Sequence, residues 1–292
     1  MRPLYKVLWI WLGLLLAVFS VAQWVKHGRS SQVVAAGQAG NAESISKLDE
    51  SQLWLEDVLP QCRETLATFL CSVNTAQRLP LVLPHPQIAQ RMERHYADNE
   101  LAQADPETLV LKASTRLALP EGDGVLTQWQ TPEGAVFDAA FRKVDQRWVL
   151  DWNHFVRYSD LSWPLFVAGS GKDIAEFRLL ARPRLASVDD PRNGIGVVLS
   201  APMSNQMREA GFSQSMLGLS TLEKSGLMLE QAFDQQAAGI ALFGATFRDI
   251  NPEGMIRVCV RIQRTGENGG FQFRIQEVLA CHWYDSQASG LD

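Results

Sequence analysis

Residues 7–25, VLWIWLGLLLAVFSVAQWV, form a run of nineteen residues without a charge. A helix apolar on every side cannot be laid along one face of a soluble core, so it must be wholly buried or span a membrane. Its rise would be about 28 Å, close to the roughly 30 Å hydrocarbon core of a bilayer. Arg2 and Lys6 precede it, Lys26 and Arg29 follow it, and Trp9, Trp11 and Trp24 lie toward its ends, where amphipathic rings favour the membrane interface. The expectation is a short basic N-terminus over 1–6 and an uncleaved signal anchor over 7–25. A cleaved signal peptide is the alternative, because Ser20-Val21-Ala22 offers a small-x-small triplet. Against cleavage, Gln23-Trp24-Val25 carries the apolar run past that site. The basic groups before the run barely outweigh those after it, and the positive-inside rule leans toward an inside N-terminus with an exported body. No second run of this length follows, so a single pass is expected.

The whole chain has 292 residues and a net charge of −5. Its first 29 residues hold four Lys/Arg and no acid, which leaves 23 basic against 32 acidic groups, a net of −9, in the rest. An acidic body argues against nucleic acid as a partner, since that binding needs a positive surface to displace counterions. A basic N-terminus suits anionic lipid headgroups instead. Residues 26–50 are rich in Ser, Gly, Ala, Gln and Asn and read as a flexible linker. What remains is enough for two domains of ordinary size.

Order is expected to begin near Ser51, where Leu53, Trp54, Val58, Leu59, Cys62, Leu66, Phe69 and Leu70 recur at helical spacing, with Pro60 breaking or kinking the first turns. A second helix is expected from about Gln87 to Ala97. From Thr108 the period changes to two, which predicts strands near 108–117, 124–131, 136–144 and 147–156 joined by tight turns. After the segment around Trp163 and Pro164, strands are expected over 177–185, 195–199, 240–247, 255–264 and 271–283. A helix capped by Ser220 or Thr221 is expected to run to about Gln236. Helices followed by an antiparallel meander make an α+β fold, here as two units, 51–168 and 169–292.

The stretch Phe69–Tyr96 with His85, Pro86, Met92 and Tyr96, followed by Arg147–Tyr158 with Trp148, Asp151, Trp152, Phe155 and Tyr158, resembles membrane-anchored, uncharacterised proteins of planctomycete- and verrucomicrobial-type bacteria. The central domain of such proteins looks like the nuclear transport factor two-like, or cystatin-like, cone of helices laid over a curved antiparallel sheet. The resemblance covers about residues 51–165. It implies a fold and an anchored topology at a bacterial cell membrane. It implies no activity, because function lives in sites grafted on folds.

The sharpest chemical constellation in the sequence is Asp138, Asp151, His154 and Tyr158 with Trp129, Trp148 and Trp152. In cone-type enzymes a general base projects into an apolar cavity that raises a carboxylate toward the working pH. Asp138 and His154 are therefore the catalytic candidates, and Trp129, Trp148, Trp152 and Tyr158 the pocket candidates. The bland readings are preferred: Asp138 as a solvated strand carboxylate, Asp151 as a cap or loop bridge, His154 as structural. His85 reads as a turn former, His95-Tyr96 as an anchor of the second helix, Trp283 as a core filler and Met203, Met207, Met216 and Met228 as core. Cys62 and Cys71 fall on opposite faces of one helix. Cys259 and Cys281 lie in two strands and could face each other if those strands are neighbours; two buried thiols are the preferred reading, and a disulfide in an exported body is the alternative. No nucleotide loop, nucleophile elbow or metal-spaced His/Cys set occurs, so neither cofactor nor metal is expected. The leading expectation is a non-enzymatic scaffold or interaction module, meeting an envelope protein or a second copy. The alternative is a small-molecule-binding or enzymatic cone using a pocket carboxylate or histidine.

Overall fold

The computed structural model describes residues 50–99, 105–184, 194–202, 210–213, 217–245, 251–266 and 270–291. The expected anchor over 7–25, the linker, and Met203, Met207 and Met216 lie outside the described residues. Among the described residues no helix is long and apolar enough to cross a membrane. Two compact units divide the chain, Met1–Glu56 and Asp57–Asp292. Of the first, residues 50–56 are the opening of helix α1, which covers 50–71. The helix runs on through Pro60, whose ring is exposed, so the missing N–H removes one ladder bond without ending it.

In the second unit, the short helix α2 (Thr75–Arg78) is capped by Asn74, whose side chain accepts from Gln77 N. Arg78, 1% exposed, folds back so that Nε and Nη2 donate to Ser72 O at the C-terminal end of α1, where the helix dipole favours a cation. Helix α3 (Ile88–Asp98) buries Ile88 and Met92. A four-stranded antiparallel meander follows, in the order β1 (Val110–Leu119), β2 (Gly122–Gln130), β3 (Val136–Val144) and β4 (Arg147–Leu150). The β3–β4 turn puts Asp145 and Gln146 at φ 47° and 65°, the two positive values of a type I′ hairpin, here without the usual glycine.

Contrary to the strand expected over 147–156, β4 stops at Leu150 and one turn of helix, α4 (Trp152–Phe155), takes over. Asp151 causes the switch by accepting from His154 N (3.0 Å) as its N-cap. The turn ends in a Schellman motif, with Arg157 N bonding His154 O and Tyr158 N bonding Asn153 O. Its left-handed position falls on Arg157 (φ 53°) where glycine is usual.

Helix α5 (Trp163–Val167) leads into a six-stranded antiparallel sheet of order β10-β9-β5-β6-β7, with β8 also paired to β6. Its strands are β5 (Ile174–Arg184), β6 (Gly194–Pro202), β7 (Ala210–Ser213), β8 (Leu217–Ser220), β9 (Ile256–Thr265) and β10 (Gln272–Ala280). Because β8 also approaches β10, the sheet curls into a nearly closed barrel. Helix α6 (Lys224–Ala237) feeds Met228, Leu229, Ala232 and Phe233 into a core with Phe177, Leu179, Val258 and Val260. It starts at Lys224 without a side-chain cap, beyond the Ser220 or Thr221 expected to begin it. The strand expected over 240–247 is absent as far as residue 245; a 3-10 turn at Leu242–Gly244 with Phe243 at φ 51° replaces it.

Alternation explains how the two sheets meet. Odd-numbered Phe177 and Leu179 of β5 and even-numbered Val258 and Val260 of β9 point into the barrel. Leu180, with Cys259 packed against the same cluster, points out of it with Met255 and Trp283. The meander is likewise buried on both faces. Thr65 of α1 donates to Trp148 O (2.8 Å), and Phe69 meets Phe155 edge-on. On the opposite face Leu117, Leu126 and Ala140 pack on Tyr284.

Candidate functional site: a buried ion cluster between two sheets

Asp138 shares the Ala140 face of β3, and that face meets the barrel. Its carboxylate is 3% exposed, which overturns the solvated reading. Period-two alternation assigns one face to a core and one to water; this sheet is covered on both. Two guanidiniums and an imidazole converge on the carboxylate. Arg257 Nη1, from β9, donates to Oδ2 at 2.5 Å; His154 Nε2, from α4, lies 3.0 Å from the same oxygen; Arg157 Nη2 lies 3.8 Å from Oδ1. Burial alone would raise this carboxyl, but Arg257, His154 and Arg157 more than offset it and hold it well below the usual carboxylate range. Arg257 is fixed in turn by Asn251 Oδ1, which accepts from its Nε (2.7 Å), and by the Trp283 ring 4.5 Å beneath it.

A second carboxylate works beside the first. Asp151, 1% exposed, caps α4 with Oδ1 and accepts from Asp285 N with Oδ2 (2.6 Å). Burial raises its carboxyl, and the neighbouring Asp285 adds to that; His154 and the two N–H bonds pull the other way without overcoming it. The cap-or-bridge reading of Asp151 holds on both counts. His154 is 1% exposed and stacks on Tyr284, centroids 5.0 Å apart; its Nδ1 has no partner among the described residues. The face it was expected to share with Trp152 as a strand does not exist, because both stand in a helical turn.

The four pocket candidates are packed rather than lining a mouth. Trp129 Nε1 donates to Thr127 Oγ1 (2.7 Å), and Trp152 Nε1 to Tyr96 Oη (2.9 Å). Tyr158 lies against Trp152 with Arg91 over its ring, and Trp148 is 4% exposed. The His95 ring meets Trp152 edge-on, so His95-Tyr96 does fasten α3 to the residues after β4. His85 forms a turn, its Nδ1 accepting from Gln87 N. A groove of about 510 Å³ opens elsewhere, between the Leu79–Pro86 segment and the β3–β4 hairpin, and none of the candidate residues lines it.

Cys259 and Cys281 are free, half-buried and buried respectively, as in the preferred reading of two thiols and unlike the alternative of a disulfide. The register pairs Cys259 with Ala280, so Cys281, one residue on, points to the other side of the sheet. It joins the barrel core while Cys259 Sγ donates to His282 O outside it (3.0 Å). Burial pushes the Cys259 thiol up to about 11 and that of Cys281 to about 12. Among the described residues no group of His, Cys, Asp and Glu gathers as metal ligands do.

Sequence reasoning missed Arg157, Arg257, Tyr284 and Asp285. A signal existed for one pair: Asp138 and Arg257 are lone charges inside otherwise apolar strand segments, FDAAF and MIRVCV, and lone opposite charges of that kind are best buried together. No protein family, curated protein or solved structure matches this chain.

Proposed function

We propose that this chain is a non-catalytic scaffold or interaction module, held at a bacterial cell membrane by residues 7–25 with its body exported. On this reading the helices and meander of 51–168 are a cystatin-like cone. Its partner is an envelope protein or a second copy. One observation carries the non-catalytic part: the convergent set of acid, base and cations found among the described residues, Asp138–His154–Arg257–Arg157, is spent on itself. Asp138 and His154 are 3% and 1% exposed, and every ionic partner of Asp138 comes from another part of the fold. A general base needs a substrate proton within hydrogen-bond reach; here that space holds two guanidiniums. The acid is also held far below the range in which it would take a proton at neutral pH.

The second reading, a ligand-binding or enzymatic cone, rests on His154 Nδ1, a buried ring nitrogen with no partner among the described residues. Cell fractionation and light scattering test the first reading. The full chain is expected in the membrane fraction, a chain lacking residues 2–29 in the soluble one, and the detergent-solubilised protein is expected to self-associate or retain an envelope protein. A full chain that is soluble, or one that is monomeric and partnerless, would contradict it.

A further inference from the structure

Beyond Ala280 the chain leaves β10 and folds back on itself as a strap. Cys281 N donates to Ser289 O (2.9 Å) and His282 Nε2 to Ala288 O (2.8 Å), closing a loop. The root of the strap is pinned by neutral bonds, Trp283 Nε1 lying 3.2 Å from both Leu179 O and Val258 O. Its outer part, residues 285–291, is fastened to the meander side mainly through carboxylates. Asp285 N donates to Asp151, Gln287 N and Ser286 Oγ donate to Glu121 (2.8 and 2.9 Å), and Asn153 Nδ2 donates to Asp285 Oδ2 (2.9 Å). Arg142 Nη1 adds a bond to Asp285 O (2.7 Å).

This hook covers the His282 ring. A Cβ on Gly290 would stand 2.9 Å from His282 Cδ2, so only a glycine backbone fits there. The imidazole is 1% exposed, stacks on Tyr284 and meets Phe243 edge-on; its Nδ1 has no partner among the described residues. A second ring proton therefore finds no acceptor while the hook is shut. The charged and titratable groups around it are Arg178 from β5, His154 from α4 and Glu121 from the β1–β2 turn. Burial first, then Arg178 and His154, bring His282 down to about 4, against the upward pull of the Ala288 carbonyl and Glu121.

We propose that residues 285–291 are an acid-opened cover: protonating His282 lifts the hook off the meander while Trp283 holds the root of the strap on the barrel. The closed form binds fewer protons than the open one between about pH 6.5 and 4, so its advantage is complete above that window and is lost as pH falls through it. The open fraction should rise roughly tenfold per pH unit there. Opening bares the His282 ring, against which Gly290 and Ala288 now lie.

Hydrogen exchange with mass spectrometry on the full chain in detergent, corrected for intrinsic rates, tests this at about pH 7 and pH 4. The amides of Asp285, Gln287 and Ala288 are expected to lose protection at the lower pH while β9 keeps its own. In His282→Gln, whose amide donates to Ala288 O but takes no proton, the hook is expected to stay protected. Unchanged protection, acid opening that persists in His282→Gln, or loss only together with β9 would each overturn the proposal. Should the variant not fold, an NMR titration of His282 in the unaltered chain decides: its midpoint must coincide with that of the hook amides, and midpoints about a unit or more apart overturn it.

Discussion

Replacing Asp138 by Asn removes one charge and leaves two. Arg257 and Arg157 would face a neutral amide at a site where their side chains are 9% and 10% exposed. Breaking a buried ion pair by deleting one partner costs about 3–5 kcal/mol, because the charge left behind, here chiefly that of Arg257, loses its ionic partner in a site shut off from water. For a folded unit of this size each kcal/mol lowers the melting temperature by about 2–4 °C, so Asp138→Asn should melt roughly 6–20 °C lower. Calorimetry on the full chain in detergent measures this directly. The double change Asp138→Asn with Arg257→Leu removes much of the stranded charge, so it should be less damaging than the two single losses added together. A coupling of about 1–3 kcal/mol is expected. An Asp138→Asn variant within about 1 kcal/mol of the parent, or singles and double that add, would refute the cluster as the clamp between the sheets.

Local geometry gives further expectations. Arg157→Gly should be more stable than Arg157→Ala by about 1 kcal/mol in chemical denaturation, since both lose the guanidinium and only glycine suits φ 53°. Gln146→Gly should stabilise by about 0.5–1 kcal/mol in the same assay, because the left-handed second position of the β3–β4 turn then carries no Cβ. Gly226→Ala should destabilise α6 despite the better helix propensity of alanine: the new Cβ would sit 2.0 Å from Ser220 O, and circular dichroism melting should show a lowered midpoint. Thiol titration of the native chain should modify Cys71, the exposed cysteine, first; all four thiols should react once the protein is denatured without reductant.

The sequence was most legible where one period ran long. The helix pattern from Leu53 and the alternation from Leu109 gave α1 and β1–β3 because each face of those elements has a consistent environment. Legibility failed at Asp151, where a single capping side chain outweighed the β-rich run Arg147–Val156 and turned a strand into a helical turn. It failed again at Asp138. Alternation names which residues share a face but not what covers it, and here β9 and the strap, more than a hundred residues away, supply the cover. The alternative of a Cys259–Cys281 disulfide stayed open in the sequence for the same reason, since a register of Cys259 with Ala280 is set by pairing and not by composition. Arg257 and Asp138 were readable as lone charges in apolar strands, though nothing in one chain's sequence says that they meet.

The central claim is that the Asp138–His154 cluster is structural and sealed, with no part in binding a small molecule. The most direct test is thermal stability of the full chain against a broad panel of metabolites and lipid headgroups, in parallel with Asp138→Asn and His154→Gln. A ligand that binds only the folded form raises its melting temperature by mass action. The account predicts no small molecule whose stabilisation depends on Asp138 or His154. A ligand that raises the melting temperature of the parent chain and loses its effect in either variant would contradict it.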